Sequence, residues 1–139
     1  MTDSSTQLHQ VLVYSSRERM RNVISIGLLQ CNYQVIETSN PYIAVMKVLQ
    51  FLPDIVVVDI PEANTKGFLI VNALKKSVQT RHIPILIVIP STPADMVNTL
   101  KEEYRDSEIA DSIDEVTVLT YPFNFALLVE TIKGIIPPE

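Results

Sequence analysis

One aspartate lies at a position where proteins with a parallel sheet usually carry functional residues. Asp59 ends the apolar, β-branched run 54–59, which suits a central strand of a parallel sheet covered by helices on both faces. In such sheets, ligands and chemistry lie at the carboxyl ends of the strands, where the winding direction reverses. A carboxylate there can bind a cation, or it can accept hydrogen bonds from backbone N–H groups of the following turn.

The other strand ends carry neutral side chains. They are Ser15, Ser16, Asn40, Ile89, Tyr121 and Pro122. His9 and His82 fall in the leader and in a turn, far from these ends. The pattern contains neither paired carboxylates nor a nucleophile–histidine arrangement, so it favours a binding or signalling module over an enzyme.

Alternating short runs predict the elements that position these residues. Five apolar runs, at 11–14, 34–37, 54–59, 85–89 and 116–119, alternate with stripes of 3.6-residue period. Asn40-Pro41 and Thr92-Pro93 are typical helix starts, with a capping side chain before a proline. The alternation predicts an α/β fold, a doubly wound five-stranded parallel sheet with helices on both faces.

One stretch, 94–115, is long for a helix and a return loop. It allows two interpretations: an elongated fourth helix with a solvated acidic turn, or a partner-binding surface over the acidic segment 105–115. The single cysteine, Cys31, lies on the apolar stripe of the first predicted helix, which favours core packing.

Length and charge exclude several classes. The 139 residues, with a net charge of -5, predict one domain at 10–136, a disordered leader at 1–9 and a tail at 137–139. The acidic balance argues against nucleic acid as a partner. No signal peptide or membrane-length apolar stretch is present in the sequence, so we expect a cytoplasmic protein without a membrane partner.

The order of these features resembles the receiver domain of bacterial response regulators (CheY-like) over about residues 10–136. Asp59 matches the phosphoacceptor, Gly67 the glycine that begins the third helix, and Ile83-Pro84 the step before the fourth strand. Tyr121-Pro122-Phe123 stands where the family has Lys-Pro-Phe. The resemblance implies a flavodoxin-like strand order, 2-1-3-4-5, and a cis peptide bond before Pro122.

The chain departs from the family at its chemical positions. Ser15-Ser16 replaces the acidic pair that helps hold Mg²⁺, Ile89 replaces the switch hydroxyl, and Tyr121 replaces the lysine. Serine hydroxyls are poor Mg²⁺ ligands, and a neutral phenol does not supply a cation. We therefore expect a degenerate (pseudo-receiver) site, with Mg²⁺ binding weak or absent and no other cofactor. Glu62 as a metal ligand, and Ser91 or Thr92 as a shifted hydroxyl, remain alternatives.

Three functions fit this sequence to different degrees. The first is a stand-alone receiver-type module of a two-component or phosphorelay system. It acts on a protein partner, either a histidine kinase or a downstream effector, with a homodimer through the face of the fourth helix, fifth strand and fifth helix. The second is a working response regulator that a histidine kinase phosphorylates on Asp59. The third, a flavodoxin-type cofactor domain, lacks the glycine-rich loop that cradles a phosphate.

Overall fold

The chain forms a single parallel sheet with helices on both faces. The computed structural model describes residues 9–61, 66–90 and 116–137. The elements are β1 (Gln10–Tyr14), α1 (Glu18–Gln30), β2 (Gln34–Thr38), α2 (Pro41–Phe51), β3 (Ile55–Asp59), α3 (Gly67–Lys76), β4 (Ile85–Pro90), β5 (Thr117–Tyr121) and the C-terminal helix (Phe125–Ile135). All strand pairs are parallel, in the order β2-β1-β3-β4-β5, which confirms the predicted fold and strand order.

The two faces of the sheet bury separate apolar clusters. Successive side chains of a strand point to opposite faces, so Ile55 and Val57 pack with α1 and the C-terminal helix. Val56 and Val58 pack instead with α2 and α3. Every residue of β3 is fully buried, as expected for a central strand. The alternation places Asp59 at the end of β3 on the α1 side.

The start of α2 follows from its sequence. Asn40 Oδ1 accepts hydrogen bonds from the backbone N–H groups of Tyr42 (2.9 Å) and Ile43 (3.1 Å). Pro41 occupies the first helical position, where its missing N–H costs nothing. This confirms the predicted helix start. The helix ends at Phe51, and the next residue, Leu52, adopts a left-handed conformation (φ 46°) just before Pro53.

One side chain predicted for the core, that of Cys31, is exposed. Cys31 lies one residue beyond the end of α1, so its side chain leaves the buried stripe of that helix and faces solvent. The chain then turns through Asn32, which has a φ of 67°. Helix α1 therefore ends earlier than the apolar pattern suggests.

Several predicted segments lie outside the described residues. These are most of the leader, the helix start at Thr92-Pro93, the fourth helix and the acidic segment 105–115. His9, at the boundary of the predicted leader, lies 3.5 Å from Asp54 Oδ2 and 3.1 Å from the carbonyl oxygen of Pro137. Within the three described ranges, no helix is long and apolar enough to cross a bilayer.

The close approach of α1 to the C-terminal helix yields a stability prediction. A Cβ added at Gly27 would overlap the ring of Phe125, whereas nothing lies within 4 Å of one added at Gly134. We expect Gly27→Ala to destabilise the domain by about 1 kcal/mol, because overpacking outweighs the gain in helix propensity. Gly134→Ala, the matched control, should be neutral or stabilising by up to about 1 kcal/mol.

Urea unfolding followed by circular dichroism measures both effects. In a Phe125→Ala background the penalty of Gly27→Ala should disappear, because the overlapping ring is gone. A penalty that persists without the ring would contradict the packing described for these two helices.

Candidate functional site

Asp59 forms a bidentate ion pair with Arg17. Arg17 Nε donates to Asp59 Oδ2 at 2.9 Å and Nη2 donates to Oδ1 at 2.6 Å. The carboxylate is completely buried, whereas the arginine side chain is 36% exposed. The planar guanidinium fork matches the two carboxylate oxygens, which makes this one of the stronger geometries for a charged hydrogen bond. The ion pair therefore neutralises the buried charge at the end of β3.

Local backbone geometry brings Arg17 to this carboxylate. Arg17 is the extended residue directly before α1, and its carbonyl oxygen accepts the hydrogen bond from Arg21 N at 2.9 Å. Ser15 Oγ accepts a hydrogen bond from Arg17 N at 3.0 Å, as in turns closed by a serine side chain. Ser15 thus fixes the turn from which the arginine side chain reaches back to the sheet.

Ser15 is also a direct partner of Asp59. Its buried hydroxyl donates to Asp59 Oδ2 at 2.8 Å, and its oxygen lies 3.2 Å from the carbonyl oxygen of Arg17. The hydroxyl has a single proton, and the shorter contact to a charged acceptor is the stronger of the two. Arg21 Nη1 donates to the carbonyl oxygen of Ser15 at 3.0 Å, which holds the turn from outside.

Tyr121 covers the guanidinium from the end of β5. The centre of the Arg17 guanidinium lies 4.8 Å from the centroid of the Tyr121 ring, within cation–π range. The pKa of Arg17 is raised, chiefly by its hydrogen bonds to Asp59, with smaller contributions from the charge of Asp59 and from Tyr121; burial opposes the shift. The arginine therefore remains charged throughout the physiological pH range.

Asp59 also affects Tyr14, the last residue of β1. Burial raises the pKa of the Tyr14 phenol, and the negative charge of Asp59 raises it further, while a hydrogen bond with Ser16 acts in the opposite direction. Ionising Tyr14 would place a second negative charge near the buried carboxylate. The phenol is therefore neutral in the folded protein at physiological pH.

The structure brings together three of the residues singled out in the sequence. Ser15, Asp59 and Tyr121 meet around Arg17. Ser16 is exposed. Ile89 is buried on the opposite face of the sheet, in the cluster with α2 and α3. The Tyr121–Pro122 peptide bond is cis, the isomer that the resemblance implies.

The central residue, Arg17, is absent from the candidates drawn from the sequence. The sequence analysis considers backbone N–H groups of the following turn as partners of Asp59, whereas the partners described here are the side chains of Ser15 and Arg17. One signal was available: an aspartate that loses its metal-binding neighbours needs another cation when buried, and Arg17 follows the two serines directly.

The surroundings of Asp59 fit a Mg²⁺ ion poorly. Both carboxylate oxygens already accept charged hydrogen bonds, so a metal would have to displace the guanidinium to reach them. Among the described residues, no three His, Cys, Asp or Glu side chains cluster in a way that would hold a metal ion. Glu62, Ser91 and Thr92, the alternatives from the sequence, lie outside the described residues.

Comparison with known proteins assigns the chain to a fold class. No protein-family model matches the chain, and no curated protein matches it. Among solved structures, the Vibrio cholerae chemotaxis protein CheY4 superposes with a TM-score of 0.76 at 22% identity, covering 94% of this chain and 100% of that one. A response regulator from Thermotoga maritima gives 0.72 at 15% identity, covering 94% and 98%.

A signal receiver domain of a signal transduction histidine kinase from Syntrophus aciditrophicus gives a TM-score of 0.71 at 20% identity, covering 91% of this chain and 89% of that one. The chain therefore has the fold of CheY-like response regulator receiver domains. Asp59 ends the third strand of that fold, but it is paired with an arginine from the turn after β1.

A double-mutant cycle tests the energetic role of the ion pair. Arg17→Met leaves a buried carboxylate without a cation, which we expect to cost about 2 kcal/mol, less than for a fully buried pair because water reaches the arginine. Asp59→Asn should cost about 1 kcal/mol, because an amide retains part of the hydrogen bonding. The double variant should be more stable than the sum of the two single-variant costs predicts, by about 1 kcal/mol or more.

Urea denaturation at neutral pH measures all four proteins. Arg19→Met is the matched control, since Arg19 is exposed at the start of the same helix, and its effect should stay within about 0.5 kcal/mol. Equal losses of stability in the Arg17 and Arg19 variants, or strict additivity in the cycle, would show that Arg17 and Asp59 do not stabilise each other in solution.

Proposed function

We propose that this chain is a receiver-type signal-transduction domain of a two-component or phosphorelay system. It acts through protein–protein contacts, and Mg²⁺-dependent phosphorylation of Asp59 is impaired or absent. The observation that carries this proposal is the guanidinium of Arg17, which binds both oxygens of the carboxylate at the phosphoacceptor position. The domain is a signalling module rather than an enzyme.

The ion pair opposes phosphorylation in two ways. A carboxylate oxygen must attack phosphorus from an open approach, but both oxygens of Asp59 are engaged and fully buried. Phosphoryl transfer also needs the charge on the transferred group neutralised, chiefly by a metal and further cations. Arg17 supplies one positive charge, which the carboxylate already balances, so the pair leaves no net positive charge for a transferred phosphoryl group.

The remaining machinery is also unsuited to a phosphoryl group. Tyr121, at the position of the family's lysine, stacks on Arg17 and is neutral near pH 7. Ile89, at the position of the switch hydroxyl, is an apolar core residue. Neither supports the movement of a hydroxyl towards a phosphate. These residues favour a site that holds one fixed state.

Two adjoining grooves beside the site support a role in protein binding. The larger, of about 800 Å³, runs between α1 and the C-terminal helix and is lined by Val23, Ile26 and Phe125, among others. The second, of about 500 Å³, is lined in part by Arg17 and Tyr121 and shares Val23 with the first. A protein partner, either a histidine kinase or a downstream effector, that bound in the second groove would therefore contact Arg17 directly.

The homodimer expected through the fourth helix, the fifth strand and the last helix stays a prediction. Its fourth helix and the acidic segment 105–115 lie outside the described residues. The grooves beside Arg17 belong to a different surface, formed by α1 and the start of the C-terminal helix.

Chemical phosphorylation tests the proposal. The protein is incubated with acetyl phosphate or phosphoramidate and Mg²⁺, alongside a conventional receiver as positive control, and intact masses are measured. We expect the wild-type protein to remain unmodified, indistinguishable from Asp59→Asn. Stoichiometric labelling of the wild type that disappears in Asp59→Asn would instead establish a working phosphoacceptor.

Titration with Mg²⁺, followed by NMR, isolates the contribution of Arg17. The wild-type protein should show no site-specific shifts around Asp59 at low millimolar metal. Arg17→Ala should show them, because the carboxylate is released, and Arg19→Ala should behave as the wild type does. Shifts around Asp59 in the wild-type protein would contradict the proposed blocking role of the guanidinium.

A further inference from the structure

The outer surface of α2 is unusually apolar. Four large hydrophobic side chains on it are between 43% and 70% exposed. We call them the α2 outer face, and they are Tyr42, Ile43, Met46 and Leu49. The opposite side of the helix is buried through Pro41, Ala44 and Val48.

The α2 outer face contains almost no charge. Lys47 is the one charged residue in the sequence of α2, and its Nζ lies 3.4 Å from the carbonyl oxygen of Glu37, at the sheet side of the helix. Surface helices usually carry charged or polar side chains on the face towards water. Contiguous apolar patches of more than a few hundred Å² are rare on monomers and mark interaction sites.

The exposed side chains have the spacing of a helix–helix seam. Tyr42, Met46 and Leu49 stand at positions i, i+4 and i+7, so they form one stripe along the helix. Ile43 flanks the stripe. The two hydrogen bonds accepted by the Asn40 side chain fix the start of the helix. The stripe is therefore ordered before a partner binds.

We propose that the α2 outer face is the interface of a homodimer, in which α2 packs antiparallel against α2 of a second copy. The four exposed side chains amount to roughly 450 Å², given that large side chains bury about 150–250 Å² each. A standard interface buries about 800 Å² per partner, so the α2 outer face forms about half of one.

The chemistry of the face favours a second copy over an unlike partner. Homodimer interfaces are more apolar than transient ones, which resemble the rest of the surface. A two-fold interface must complement itself, and a stripe without charges does so without like-charge repulsion. The position of Met46 within the stripe places it next to the two-fold axis, facing Met46 of the other copy.

The proposed dimer leaves the Arg17 site accessible. α2 packs on one face of the sheet, whereas α1, the C-terminal helix and the two grooves lie on the other. Each dimer therefore presents two docking surfaces pointing away from its axis. A partner that is itself dimeric would bind both, and its second contact would gain from the effective concentration of the first.

Sedimentation velocity and light scattering test the interface on the full chain. We expect the wild type to have twice its chain mass of 15.6 kDa. Met46→Glu would bury two facing carboxylates at the axis and should weaken the dimer by about 100-fold or more. Ile26→Glu on α1, which also replaces an exposed apolar residue, is the matched control and should remain dimeric.

Disulfide trapping provides a second readout that does not depend on dissociation. In a Cys31→Ser background, Met46→Cys should form an intermolecular disulfide under mild oxidation, whereas Ile26→Cys should not. Circular dichroism confirms that each variant is folded. A monomeric wild type, a dimer that survives Met46→Glu, or a dimer lost in Ile26→Glu would each overturn the proposal.

Discussion

A buried carboxylate must be paired with a positive charge, and the carboxyl end of this sheet is arranged around that requirement. Asp59 is fully buried at the end of β3, where an unpaired charge would cost several kcal/mol. Arg17 meets it with two hydrogen bonds, Ser15 adds a third, and Tyr121 covers the guanidinium. The ends of β1, β3 and β5 are therefore joined through one side chain.

The cation in this site is part of the chain. A metal ion exchanges with solvent and can arrive with a phosphoryl donor, whereas the guanidinium is tethered three residues beyond the end of β1 and keeps its charge. The cation beside Asp59 is thus fixed rather than exchangeable. In the proposed function, signalling therefore does not depend on phosphorylation of Asp59. It depends on the surfaces that partners recognise.

The fold was predictable because its strands and helix starts are recognisable from local sequence patterns. Runs such as Ile55–Asp59 are nearly continuous in β-branched residues, and Asn40-Pro41 marks a helix start by its capping chemistry. The absence of lysine and acidic residues directly after β1 and at the end of β5 was likewise visible in the sequence, where Ser15, Ser16 and Tyr121 stand. Sequence reasoning therefore located the strand ends and the neutral side chains that they carry.

The contact between Arg17 and Asp59 was harder to foresee. Arg17 reaches Asp59 because the Ser15 side chain closes a turn that directs it back to the sheet, and 42 residues separate the partners. Such a contact depends on three-dimensional geometry rather than on periodicity. The exposure of Cys31 has the same origin, since the end of α1 depends on where the chain turns. The apolar outer surface of α2 also needed a structure to show which side is covered.

The most direct measurement is the NMR behaviour of the Arg17 guanidinium itself, assigned by its loss in Arg17→Lys. If Arg17 holds Asp59, its Nε–H resonance at neutral pH is resolved and slow to exchange, unlike that of the exposed Arg19, and low millimolar Mg²⁺ leaves it unchanged. An Arg17 resonance that exchanges as fast as that of Arg19, or that Mg²⁺ releases, would contradict the claim that a tethered cation has taken the place of the metal.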